Sequence, residues 1–193
     1  MRYILLIAFM LIGAYLEQFI VENRHLEEQL ASSQRIINIL ENYHRPVEEY
    51  LFAMPIHKDD FIRYTSPFGY RELVNPYTGG TRESMHKGLD ILGTYQARIT
   101  AIADGIIIEH YPAPNGFFKG HELLGGMIKI DHGNGWTSVY GHMSATYKNE
   151  TAFVSAGEVI GRQGNTGQSQ GSHLHFELQY NNVAVNPLKY VGE

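Results

Sequence analysis

The chain has 193 residues, a net charge of −5 and no cysteine. That length suffices for one compact domain with an appended segment, not for two large domains. The acidic balance excludes a general nucleic-acid binder, which needs a basic groove, and the lack of cysteine excludes disulfides, thiolate zinc sites and a cysteine nucleophile, leaving histidines and carboxylates as metal ligands.

Arg2 precedes an apolar run from Tyr3 to Leu16, and a positive residue ahead of a hydrophobic stretch is the pattern of export segments. A full span needs roughly 20 apolar residues. Reaching that length through Phe19, Ile20 and Val21 brings Glu17 and Gln18 to an outer interface. Residues 1–21 are therefore expected to form a transmembrane anchor. A cleaved signal ending near Ile12-Gly13-Ala14 competes with this reading, and a buried core helix is the third. The first two put the rest of the chain in the cell envelope, with the N-terminus inside. It is then anchored in the inner membrane and facing the periplasm or the cell exterior, or secreted if the segment is cleaved.

Leu16, Phe19, Asn23, Leu26, Leu30, Ser33, Ile37, Leu40 and His44 follow at alternating steps of three and four, with charged and amide side chains between them. This spacing predicts a coiled-coil stalk over residues 22–45, able to pair with a second copy or another partner, with Asn23 fixing the register of a parallel pair. One amphipathic helix folded onto the rest of the chain fits the same pattern. Pro46 ends the helix, because the residue before a proline disfavours helical geometry. Residues 46–59 read as a linker.

From residue 60 to 193 the texture changes to short β-rich runs separated by Gly and Asn turns. Arg98–Ala103 and Gly105–Tyr111 are joined at Asp104-Gly105, a strong hairpin signal. Met127–Asp131 and Trp136–His142 flank Gly133-Asn134-Gly135, Val154–Arg162 contains an Ala-Gly turn, and Leu174–Tyr180 and Val183–Val185 flank Asn181-Asn182. The expected fold class is mainly β: an antiparallel sheet or open, barrel-like domain preceded by the hydrophobic segment and the helical stalk.

Ten histidines are present, and spacing separates the chemical ones from the rest. His86 and Asp90 stand four apart, so on one extended strand they face the same side, with Gly88 between them leaving room. His173 and His175 stand two apart and share a face, while Leu174 and Phe176 point to the core. His142 closes a predicted strand. Two histidines and a carboxylate, with the fourth position left to water, make the usual catalytic zinc shell. Two further imidazoles beside it suit proton transfer and oxyanion stabilisation.

Thr65–Arg71 (TSPFGYR), Met85–Ile91 (MHKGLDI), Ala101–Gly105, Val139–Met143 (VYGHM), Gly161–Gly167, Gly171–Leu178 (GSHLHFEL) and Val185-Asn186-Pro187 occur in one order. Together these segments resemble the lysostaphin/LytM-type zinc metallopeptidases that act on peptidoglycan. The resemblance covers roughly residues 60–190. It implies that His86, Asp90 and His175 hold Zn2+, that His142 and His173 are the catalytic pair, and that a groove beside the metal takes peptidoglycan stem peptides. It also implies an endopeptidase, a DD-endopeptidase first of all, in which metal-activated water attacks the scissile carbonyl. Some relatives lack the ligands and only activate other hydrolases. The alternative is therefore a non-enzymatic envelope scaffold or activator, although all five positions are kept here.

Three further residues are candidate substrate contacts. Arg71 follows the Phe-Gly-Tyr stretch and suits a substrate carboxylate, or equally a structural ion pair. Tyr77 sits in a loop before the first ligand. His121 lies in the Tyr111–Gly126 segment, which is longer than the connection usual in the family; a solvated loop histidine is the plainer reading.

Overall fold

The computed structural model describes residues 2–42, 51–74, 79–115 and 119–192. The chain divides into two compact units, Met1–Asn38 and Ile39–Glu193. Arg2–Asn42 form a single α-helix, α1, as a Leu-, Glu- and Gln-rich segment without proline favours. Every side chain from Tyr15 to Ala31 is exposed, including the seam residues Leu16, Phe19, Leu26 and Leu30. Among the described residues no helix is long and apolar enough to cross a membrane, so the transmembrane expectation has no support there. The side chains of 2–12, the most apolar part of the expected anchor, lie outside the described residues, as do His44 and Pro46 at the expected end of the stalk.

The second unit is built of short strands: β1 (Phe61–Ser66), β2 (Gly69–Val74), β3 (Thr81–His86), β4 (Leu89–Gly93), β5 (Arg98–Thr100), β6 (Gly105–Tyr111), β7 (Gly126–Gly133), β8 (Trp136–Met143), β9 (Ala145–Thr146), β10 (Phe153–Val154), β11 (Val159–Arg162), β12 (Leu174–Tyr180) and β13 (Val183–Val185). The main sheet runs β1-β4-β12-β8-β7-β6-β10, with β13 hydrogen-bonded to β12. All its pairs are antiparallel. It is an open sheet and not a closed barrel. A three-stranded sheet, β5-β11-β9, and a separate β2–β3 hairpin complete the unit.

Period-two alternation sorts the main sheet into a core face and a site face. In β12, Leu174, Phe176 and Leu178 are fully buried, and in β4 Leu89 and Ile91 are buried with them. They pack with Ile99, Ile128, Ile130 and Tyr140. Each such burial contributes about 1.5–3 kcal/mol, which fixes the register and thereby commits His173, His175 and Asp90 to the opposite face. The two ends of the unit meet at Phe52. Its N–H donates to Tyr190 O at 2.7 Å, its carbonyl accepts from Gly192 N at 2.9 Å, and its ring stands edge-on to Trp136 at 5.2 Å.

Two local expectations are corrected. Asp104-Gly105 does not close a hairpin, because β5 pairs with β11 in the small sheet while β6 pairs with β7 in the main one. The turn signal is real, but the flanking runs satisfy their backbone groups in different sheets. His86 and Asp90 do not share a strand either: β3 ends at His86, and β4 begins at Leu89 beyond a corner at Lys87-Gly88. The Asn181-Asn182 turn does join β12 to β13, with both residues at positive φ (49° and 63°), as a tight antiparallel hairpin requires.

Candidate metal centre

One rung of the main sheet organises the site. Ser66 on β1, Asp90 on β4, His175 on β12 and Gly141 on β8 are successive cross-strand partners. Cross-strand partners share a face, so Asp90 and His175 are delivered side by side. His86 reaches them around the Lys87-Gly88 corner. Gly88 is required there: a Cβ on it would stand 2.6 Å from His175 Cε1 and 2.7 Å from Phe176 O.

His86 Nε2, Asp90 Oδ1 and His175 Nδ1 form a triangle with sides of 3.1, 2.9 and 3.2 Å. Ligands about 2.0–2.1 Å from a tetrahedral zinc stand about 3.3 Å apart, so the triangle has the size of three ligands around one ion. The outer hydrogen bonds agree. His86 Nδ1 faces Pro67 O at 2.7 Å and must carry its proton there, which leaves Nε2 with a lone pair in the neutral ring. His175 Nε2 faces Glu177 Oε1 at 3.2 Å, so the proton of its neutral ring belongs on Nε2 and the lone pair on Nδ1. Two imidazole lone pairs and a carboxylate oxygen thus converge, an arrangement that calls for a positive charge at its centre. Protonation reflects the same demand. Burial works to raise the Asp90 carboxyl, but hydrogen bonds from His175 and His86 hold it well below the usual carboxylate range. Burial works to lower His175, but Asp90 and Glu177 push it up. The donor set fits a zinc ion.

Two more imidazoles face this triangle. His142, the residue before the last of β8, lies in the left-handed region (φ 60°), strain of order 1–3 kcal/mol for a residue with a side chain. That geometry breaks the pleat and turns the ring to the site face, 4.7 Å from the His173 ring and 5.8 Å from His175. Its Nδ1 donates to Thr166 O at 2.7 Å, its backbone N–H donates to Leu124 O at 2.6 Å, and Nε2 remains for the site. Burial is the main force holding this ring down at about 4, so it is neutral near pH 7. His173 lies just before β12, with Nδ1 bonded to Gly171 O at 2.8 Å and Nε2 3.6 Å from Asp90 Oδ1.

The five residues His86, Asp90, His142, His173 and His175 line one cleft of about 550 Å³, together with Arg71, Arg82, Ser84, Leu123 and Leu124. Arg71 donates from Nη1 to Ser66 Oγ at 2.9 Å and stands 4.0 Å from Asp90 Oδ2. His121 is placed elsewhere. Its Nδ1 accepts from the N–H groups of Leu123 and Leu124, and its ring stacks edge-on to Tyr111 at 5.1 Å. It shapes the loop that carries Leu124 to His142 and is not among the residues lining the cleft. Tyr77 lies outside the described residues. Glu177 and Thr166 emerge only from the structure. Glu177 was legible as the next step of the alternation His173, His175, Glu177, whereas a backbone carbonyl such as Thr166 O leaves no trace in sequence.

Three convergent donor atoms, one from the β2–β3 hairpin and two from the open main sheet, with a cleft beside them, make the kind of donor set that catalytic zinc sites use. Peptidase family M23 matches residues 84–187, more than half of the chain. The chain belongs to that family. It is 37% identical over 129 residues to the DD-carboxypeptidase/endopeptidase Mpg of Neisseria meningitidis, covering 66% of this chain and 27% of that one. It is 36% identical over 116 residues to the murein hydrolase activator NlpD of Escherichia coli, covering 60% and 28%. The fold matches a zinc-containing peptidase from Vibrio cholerae with a TM-score of 0.59 and 27% identity, covering 70% of this chain and 39% of that one. The chain thus spans about a quarter of the length of these curated relatives.

Proposed function

We propose that the protein is a zinc-dependent endopeptidase that hydrolyses peptide cross-links of bacterial peptidoglycan, as a DD-endopeptidase. His86, Asp90 and His175 hold the metal, and His142 and His173 are the catalytic pair. The observation that carries this reading is the convergence of two imidazole lone pairs and a carboxylate oxygen within 3.2 Å, with two further imidazoles facing them. Zinc in this site supplies Lewis acidity toward the scissile carbonyl and brings the pKa of water down to about 7.

The chain's own groups complete the chemistry. Each catalytic imidazole has its Nδ1 proton committed to a backbone carbonyl, so Nε2 is the working atom. One ring takes the proton of the attacking water at Nε2. An imidazolium then stabilises the negative charge developing on the carbonyl oxygen, and a proton passes to the leaving amine as the C–N bond breaks. The two roles belong to the pair. Arg71 adds a positive charge on the cleft wall for a substrate carboxylate.

The N-terminal segment is proposed to hold the enzyme at the membrane, with its peptidase unit in the cell envelope and the α1 seam pairing with a second copy. The likeness to NlpD favours one other reading, an activator that recruits another hydrolase. Incubating the full chain with purified peptidoglycan, with zinc and then with excess chelator, separates the two. The enzyme solubilises the wall by itself and loses this on chelation, whereas an activator acts only when a partner hydrolase is added.

A further inference from the structure

The β2–β3 hairpin sorts its charges by face. Its register pairs Arg71 with Ser84, Leu73 with Arg82 and Glu72 with Glu83. His86 ends β3 on the site side, so steps of two put Ser84 and Arg82 on that side, with Arg71 and Leu73 opposite them. All five line the cleft. Glu72 and Glu83 lie on the other face, directly across from each other. Opposed like charges destabilise a strand pair, and an Arg–Glu pairing would stabilise it. The hairpin therefore forgoes a cross-strand ion pair and instead turns both arginines to the cleft.

We propose that Arg82 and Arg71 form a two-guanidinium clamp that selects peptides carrying a free carboxylate near the scissile bond. This rests on the peptidase reading of the site and names the substrate chemistry it takes. The two arginines are diagonal neighbours, with Cα atoms about 7–8 Å apart, and each guanidinium presents several N–H donors in a fork that fits a carboxylate. Among the described residues lining the cleft, Asp90 is the single acid, and it belongs to the metal triangle. The cleft is thus cationic in a chain of net charge −5. Arg71, 4.0 Å from Asp90, marks the near end of the clamp. Arg82 lies four residues from His86 along β3, about 13 Å of extended chain. A peptide bound in extended form along the hairpin covers that distance in about four residues.

The test uses the zinc-loaded full chain and four probes: N-acetyl-Glu-Lys-D-Ala-D-Ala as the free acid, its C-terminal amide, its Gln-for-Glu form, and the form with both changes. Calorimetry measures binding and chromatography measures cleavage. The expected result is that neutralising one carboxylate weakens binding at least tenfold, and which one does so tells a terminal carboxylate from a side-chain one. R82Q should remove most of that difference, and R82K, which keeps the charge but not the fork, should retain part of it, with thermal melts unchanged in both. Equal binding of all four probes to the parent overturns the clamp, as does an undiminished difference in R82Q. If binding depends on the carboxylate and on Arg82 but the zinc-loaded chain cleaves neither the probes nor the cross-links of purified peptidoglycan, the peptidase reading fails and the clamp stands.

Discussion

Glu177 Oε1 accepts a hydrogen bond from His175 Nε2 at 3.2 Å, while Nδ1 of the same ring faces Asp90 Oδ1 at 2.9 Å. One imidazole is thus held between an outer and an inner carboxylate. Glu177 is itself held by Gln179 Nε2 at 2.9 Å. Such an outer partner fixes tautomer and ring direction, and its loss typically lowers metal affinity by 10–100-fold. Glu177→Ala is therefore expected to weaken zinc binding by that order, and Glu177→Gln, which keeps an acceptor oxygen, by less. Competition against a chromophoric chelator measures both, and unchanged affinity in the alanine variant contradicts the role.

Gly88 gives the second prediction. An alanine there puts its Cβ against the His175 ring and the Phe176 carbonyl, and neither neighbour yields without disturbing β12. Overpacking of this kind costs about 1–3 kcal/mol. Gly88→Ala should lose zinc affinity at least tenfold and melt several degrees lower. A melt and affinity equal to the parent's mean that the corner is looser than an approach of 2.6 Å to the His175 ring allows.

The third prediction concerns acid sensitivity away from the metal. His132 is buried, with Nδ1 on Asp104 O at 2.9 Å and Nε2 on Ser138 Oγ at 2.7 Å. Burial lowers its pKa to about 4, against the pull of the nearby Asp131 and Asp104 charges. Between about pH 6.5 and 4 the unfolded chain takes up a proton on this ring that the folded chain refuses, so stability falls as pH falls through that window. Below about 4 both forms carry it and the loss levels off. The stability lost across this window is on the order of 3 kcal/mol. Fluorescence of the sole tryptophan, the fully buried Trp136, follows unfolding. His132→Gln should flatten the slope of stability against pH across this window by close to one proton, and an unchanged slope contradicts the assignment.

The fourth concerns the stalk. Leu26 and Leu30 are exposed on the seam of α1, at 57% and 70%. If the seam pairs with a second copy, the parent runs as a dimer in light scattering and the Leu26→Lys, Leu30→Lys double variant as a monomer. A monomeric parent at micromolar concentration contradicts the pairing.

What was legible in the sequence follows from the range of each signal. The His173-Leu174-His175-Phe176 alternation shows two faces because a strand repeats every two residues and its core face is apolar, and Asn181-Asn182 marks a hairpin because its left-handed turn is local chemistry. Asp104-Gly105 carries an equally local signal, yet distant partners, β11 and β7, decide how its flanking strands pair. The spacing of His86 and Asp90 correctly brings them together for a different geometric reason, a corner and not one strand. His142 stands in a legible motif, Val139–Met143, but its left-handed backbone and its anchor on Thr166 O are set by loop packing that no periodicity encodes. Arg82 looks like an ordinary polar strand residue until the register shows which face it shares with His86.

The central question is whether this site cuts peptides. The most direct measurement is mass spectrometry of the muropeptides released from purified peptidoglycan by the zinc-loaded chain, by the same chain after chelation, and by His173→Ala. Release of fragments cut at the peptide cross-link, abolished by chelation and reduced at least a hundredfold in His173→Ala, is the predicted result. No fragments from a chain with zinc bound at one ion per molecule, or equal release by His173→Ala, would contradict it.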